Sequence, residues 1–320
     1  MKRCPDPKCN APGVTCRMGE VVLEDCPKWT RGRSAGGAGA VAGDPNATRR
    51  AWSGAALGTT DLAFLTGRGE PTLVGLIGPH NAGKTTLLGL FYQQLGRSGY
   101  IGDARFAGSY SLEGWEAIAH ALRWEGAVPR FPPHTSSGAG RAPGLLHVAL
   151  RDRQQRLSDV LFADSSGEWF QRWSIEPEAN DAEGARWLIE RASRLMIAAD
   201  CEALAGKDRG QARSDLIQLI RRVAAARADR PVALIWTKAD VIVPELIHAA
   251  VSNAANLVMP DIVTFETSVT TFERAGSTIT ATDSVKAILD WMTAPLARGF
   301  ELPAAAIRNP DPFFAIGAAA

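Results

Sequence analysis

TLVGLIGPHNAGKTTLLGLFYQQLG, residues 72–96, joins a short apolar run to a run of helical length through Gly78-Pro79-His80-Asn81-Ala82-Gly83-Lys84-Thr85. The apolar run suits a strand buried on both faces. The link matches G-x-x-x-x-G-K-[ST] and stands where physics needs it, between strand and helix. Its glycines let the backbone curl so that N–H groups point inward at phosphate oxygens. The helix N-terminus adds the positive end of its dipole. The expected nucleotide-binding set is Gly78, Asn81, Ala82, Gly83, Lys84, Thr85 and Thr86. Lys84 would reach the β- and γ-phosphates, and Thr85 would offer its hydroxyl to Mg²⁺.

Outward from this stretch, strands alternate with helices. Apolar strands are expected at 144–151, 158–164, 194–200, 231–237 and 262–267. Helices are expected at 111–124, 183–193, 213–228, 244–258 and 284–296. Such alternation predicts an α/β sheet covered on both faces. The strands at 144–151 and 158–164 lie close enough to form a hairpin, and residues 97–144 otherwise read as long and irregular. Residues 51–70 read as a short helix or an arm packed on the main domain.

Three further strand ends carry polar residues. Asp164-Ser165-Ser166-Gly167 places an acid where a phosphate-loop protein holds its Mg²⁺ shell, or forms a simple turn. Gly167 has no Cβ to keep its N–H from a γ-phosphate. Thr237-Lys238-Ala239-Asp240 places a carboxylate that accepts from guanine N1–H and its amino group, donors that adenine does not present as a pair. The alternative is a helix cap at Asp240. Lys238 has the stem to lie over the base or brace the phosphate loop. Ser268 could orient Asp240, and the Val269 N–H could approach guanine O6.

With these motifs in this order, residues 70–297 resemble the TRAFAC class of P-loop GTPases: GPHNAGKT at 78–85, DSSG at 164–167, TKAD at 237–240 and TSV at 267–269. More narrowly, EDCPKW (24–29), FAGSYSLEGWE (106–116), LLHVALRD (145–152) and VLFADSSGEWF (160–170) resemble the second type of bacterial double-GTPase. The resemblance implies a three-layer P-loop NTPase sheet, mostly parallel with one antiparallel strand, binding Mg²⁺ with GTP or GDP. It also implies protein partners, a second GTPase among them, in a bacterial conflict or defence system. The implied catalytic set is Lys84, a switch threonine taken as Thr135 (Ser136 and Ser137 being alternatives), and Glu168. Ras-like proteins hold a Gln at the position of Glu168; a carboxylate there would orient water or turn outward as a structural residue. Asn81 resembles the Asn of relatives that recruit K⁺ in place of an arginine finger; the alternative is an Asn shaping the loop through its own backbone.

Cys4, Cys9, Cys16 and Cys26 crowd the N-terminus. In a reducing compartment such clusters bind metal more often than they form disulfides, so residues 1–30 read as a zinc segment. A segment this small would draw folding energy from the metal. Cys201 stands alone and reads as a small buried hydrophobe. Residues 31–65 read as a flexible linker or arm, 66–300 as the P-loop domain, and 301–320 as a tail.

Composition excludes several classes. With 46% apolar and 22% charged residues the chain is not wholly disordered. Lys+Arg 35 against Asp+Glu 34 leaves a net charge of +1, which excludes bulk electrostatic grip on nucleic acid. No stretch approaches the ~18 apolar residues of a membrane span. MKRCPDPKCN carries no apolar signal core, so a cytoplasmic location is expected. The leading expectation is an Mg²⁺-dependent GTPase switch. The alternatives are a GTP-binding structural subunit with little turnover, and a nucleic-acid-binding module at the locally basic zinc segment, where few aromatics stand to stack bases.

Overall fold

The computed structural model describes residues 56–122, 144–274, 276–294 and 296. The four clustered cysteines, most of the linker, Thr135 and the tail therefore lie outside the described residues.

After a 3-10 turn at Thr59–Asp61, the elements run α1 (Leu62–Thr66), β1 (Thr72–Ile77), α2 (Lys84–Ser98), β2 (Tyr100–Ile101), β3 (Ala104–Gly108) and α3 (Leu112–Ala121). The chain continues through β4 (Gly144–Arg151), β5 (Leu157–Asp164), α4 (Gly167–Ile175), α5 (Glu183–Arg191), β6 (Arg194–Asp200), α6 (Cys201–Ala205) and α7 (Arg209–Ala226). It closes with β7 (Val232–Thr237), α8 (Glu245–Val258), β8 (Val263–Thr267), the small hairpin β9 (Phe272–Arg274) and β10 (Ser277–Ile279), and α9 (Ala281–Thr293).

One eight-stranded sheet carries the order β2-β3-β4-β5-β1-β6-β7-β8. The β1, β6 and β7 strands are apolar without alternation because both of their faces are covered. Side chains of β1 point alternately to two cores. Val74 and Leu76 pack with Leu88, Phe91 and Leu95 of α2 and Ile288 and Leu289 of α9. Leu73 and Ile77 pack in the core that holds Phe170 of α4, Leu188 of α5, Ile220 of α7 and Val251 of α8. The result is three layers, and each fully buried Leu or Ile contributes on the order of 1.5–3 kcal/mol.

The parallel part runs through β5, β1, β6, β7 and β8, and β4 pairs antiparallel with β5, as a hairpin requires. The sheet extends further than expected. Residues 97–110, read as irregular, form the end of α2 and then β2 and β3, which continue the sheet antiparallel from β4. The cause is backbone satisfaction: the outer edge of β4 must find partners once its faces are buried. Gly99 sits at φ +69°, and its N–H returns to Leu95 O at 2.8 Å, closing α2 so that β2 can turn back. Further up the same edge, Leu57 and Leu145 exchange both backbone bonds, at 2.8 and 2.9 Å.

Between these two pairings β4 buries His147, whose surroundings explain the FAGSYSLEGWE stretch. Tyr110 N–H donates to His147 Nδ1 at 3.0 Å, which leaves the ring proton on Nε2 to be donated to Asp159 Oδ1 at 2.9 Å. Ser109 Oγ and Trp115 Nε1 donate to the His147 carbonyl at 2.6 and 2.9 Å, and His147 N–H donates to Ser111 Oγ at 2.7 Å. Arg68 closes over Asp159 at 3.4 Å. Every polar atom of the imidazole is occupied.

Candidate functional site

The carboxyl ends of β1, β5, β6, β7 and β8 share one rim, and β1 is the strand from which the order departs in both directions. In open α/β sheets ligands bind in the crevice at such a point. A cleft of about 530 Å³ lies there. Gly78 leaves β1 at φ +156° with its Cα against Ala198, where an added Cβ would lie 3.0 Å from the alanine Cβ. Asn81 at φ +62° and Gly83 at φ +76° complete the curl into α2.

Lys84 is buried, and its Nζ donates to Gly78 O at 2.9 Å and Pro79 O at 2.7 Å. Burial lowers its pKa to about 8, while the negative charges of Asp164 and Asp200 hold it from falling further. Thr85 Oγ1 donates to Asp164 Oδ1 at 3.1 Å, so the end of β5 meets the start of α2. Thr237 Oγ1 donates to Ala82 O at 3.0 Å and Ala199 O at 3.2 Å, tying the loop to β6 and β7. Thr86 lines the cleft beside them.

Gly167 opens α4 directly against the loop. A Cβ there would lie 2.2 Å from His80 N and 2.4 Å from the Pro79 carbonyl carbon, so only glycine fits. Glu168 follows in the first turn of α4, exposed, where a carboxylate complements the helix N-terminus; it does not line the cleft.

The far end of the cleft is built from β7 and β8. Ser268 Oγ donates to Asp240 Oδ1, and Thr270 N–H donates to Ser268 Oγ at 3.2 Å. Ala239 N–H donates to Thr267 O at 3.1 Å, which holds the two loops together. Val269 lines the same end. Lys238 takes φ +54° and sends Nζ back to Asp200 Oδ2 at 2.9 Å and Glu202 Oε2 at 2.8 Å. Burial would lower the Lys238 pKa; the hydrogen bonds it donates to Glu202 and Asp200 outweigh this and raise the value.

Asp200 and Glu202 are absent from the residues expected from sequence. Asp200 ends the apolar strand RLMIAAD as Asp164 ends LFAD, so the same signal was present. Asp200 also caps α6, accepting from Glu202 N–H at 3.0 Å, a bland role that hides its position between two lysines. Cys201 beside it is buried, and burial first, then the Asp200 charge, pushes its thiol up to about 12.

A hydroxyl and a carboxylate in contact, Thr85 and Asp164, fit the sparse protein share of an Mg²⁺ site completed by phosphate and water. Among the described residues no group of three or more His, Cys, Asp or Glu is placed to hold a metal by itself. No helix among them is long and apolar enough to cross a membrane.

No curated protein matches the sequence. Among solved structures, the chain is similar to the bacterial selenocysteine-specific elongation factor EF-Sec at 12% identity and TM-score 0.31, over 62% of this chain and 26% of that one. It thus spans about a quarter of the elongation factor's length. It is also similar to a Plasmodium falciparum protein described as nucleolar GTP-binding protein 1, at 10% identity and TM-score 0.38, over 70% of this chain and 86% of that one. Residues 72–292, from the first residue of β1 to the last turn of α9, match the family model described as Double-GTPase 2, and the chain belongs to that family.

Proposed function

We propose that the cleft binds GTP with Mg²⁺, hydrolyses it, and acts as a switch within a larger assembly. The observation that carries this reading is the Asp240–Ser268 pair at one end of a cleft whose other end is the Lys84 loop. Ser268 holds one oxygen of Asp240 and leaves carboxylate lone pairs for the two guanine donors. Lys84 exchanges the Gly78 and Pro79 carbonyls for phosphate oxygens, a stronger partner for its charge. Thr85 and Asp164 would hold Mg²⁺, which supplies neutralisation of phosphate charge. Gly167 presents backbone to the phosphate loop and passes its position to α4.

The test is nucleotide titration of the purified chain. GTP should bind in preference to ATP, and Asp240→Asn should shift preference to the xanthosine nucleotide. ATP preference, or an unchanged base preference in the variant, would overturn the guanine assignment.

A second reading, a GTP-binding structural subunit with little turnover, is favoured by Glu168 standing outside the cleft. Single-turnover hydrolysis with and without K⁺ separates the two, and also tests Asn81 as a K⁺ residue. The reading of Cys4, Cys9, Cys16 and Cys26 as zinc ligands, and of this end as a nucleic-acid module, is checked by metal content and by the salt dependence of RNA binding. A second GTPase is the partner that family membership suggests.

A further inference from the structure

A second groove, of about 630 Å³, runs along α7 and shares no residue with the nucleotide cleft. Arg213, Arg221 and Arg222 line it, and no carboxylate does. In a chain with 35 basic and 34 acidic side chains, this is a local departure from balance. Some surface arginines are neutralised where they stand, as Arg153 is by Asp103 at 2.6 Å, Arg172 by Glu176 and Arg227 by Asp261 at 2.6 Å, whereas exposed Arg209 at the start of α7 adds to the charge of this helix left unpaired among the described residues. Arg213 and Arg221 are exposed and form no ion pair among the described residues.

The other wall is apolar. Ala250 of α8 lines the groove, with Ile217 on the α7 side. Leu246 and Leu257, 85% and 80% exposed, stand on the same face of α8 as Ala250, four residues before it and seven after. They mark out a row about 16 Å long that is apolar except for exposed Asn253 between Ala250 and Leu257. The buried face of α8 uses Ile247, Val251 and Ala255 instead, so this row has no role in the core.

We propose that the α7–α8 face docks an acidic amphipathic helix of a partner protein. A row of guanidinium groups beside a row of aliphatic side chains selects its complement: carboxylates along one edge, apolar residues at i, i+4 and i+7. Nucleic acid fits the surface less well. Single strands want aromatic platforms, and no aromatic side chain lines the groove. Gln218 Nε2 and Arg222 donate to Ser174 O at 3.0 and 3.4 Å, which fixes this side of α7 to the end of α4.

The test uses a synthetic fluorescein-labelled peptide of about 18 residues, long enough to form a helix on binding. It carries Leu at i, i+4, i+7 and i+11 and Glu on one flanking edge, and is titrated against the full chain by anisotropy. A Lys-for-Glu peptide and a poly-U oligonucleotide are the other probes. Saturable binding is expected for the acidic peptide alone. Affinity should fall about tenfold or more in Arg213→Glu with Arg221→Glu, and again in Leu246→Ser with Leu257→Ser, because each pair removes one row. Both variants should keep the nucleotide affinity and thermal melting of the parent. The proposal is overturned by no saturable binding, by equal binding to the variants, or by equal binding of the Lys peptide. Tighter poly-U binding, or self-association abolished by the same substitutions, would place nucleic acid or a second copy there instead.

Discussion

Two partly buried polar clusters flank β5, and each sets carboxylates against basic groups. At its carboxyl end, Lys84, Asp164, Asp200 and Lys238 meet around the cleft. On its flank, His147, Asp159, Arg68 and Tyr110 meet over β4. The difference is saturation. The imidazole has a protein partner for each nitrogen, and its backbone carbonyl accepts from Ser109 and Trp115. Lys84 instead holds two carbonyls of its own loop beside an open cavity. A saturated cluster rigidifies the fold; one that faces a cavity with exchangeable partners can bind.

The largest effect that distinguishes the clusters should come from Lys84→Ala. Loss of a charged contact to phosphate should weaken GTP about 100-fold, near 2.7 kcal/mol, while the melting temperature stays or rises because a buried charge is gone. Fluorescent-nucleotide titration beside a thermal melt checks both. Affinity within threefold of the parent would break the comparison.

Asp159→Ala should do the reverse. It strands the His147 N–H and the Arg68 charge, costing about 2 kcal/mol of stability in a denaturant titration. Nucleotide affinity measured well below the melting point should hold; a parallel loss would mean that the two clusters are one.

The pH responses are smaller and opposite in position. Lys84 titrates near pH 8 in the free protein, and a phosphate bound beside it would favour the charged form and raise that value. GTP affinity should therefore be flat below pH 8 and fall above it, by at most about tenfold per unit. His147 shifts in the same direction, but from a value already below neutrality. Burial lowers its pKa below 6.5, with the Asp159 bond opposing. Its neutral form is the folded form, so its contribution is complete above about pH 6.5 and is lost as pH falls toward the folded value. Melting temperature against pH, compared with His147→Gln, should show an acid-side slope that the variant lacks.

Much of the fold was legible because its signals are local. An apolar strand followed by a glycine-rich turn and a helix is written in consecutive residues, as in TLVGLIGPHNAGKTT. The same holds for the strands ending in Asp164 and Thr237. Strands β2 and β3 were not legible. They are short, and ARFAG carries no run of apolar residues; only the free edge of β4 makes them strands. Asp200 was overlooked for a different reason. Its partner, Lys238, lies 38 residues away, and only the parallel pairing of β6 with β7 sets the two side by side.

Sequence alone therefore determined the order of motifs, the α/β alternation and the phosphate-loop geometry, since backbone curl and strand burial depend on neighbouring residues. Tertiary structure decided which carboxylate serves which lysine, which histidine is closed off, and which arginines stand unpaired beside an apolar row. These depend on distances between distant segments. A carboxylate 2.9 Å from an ammonium group and the same carboxylate in water differ in everything that matters to binding, yet they are spelled identically in the chain.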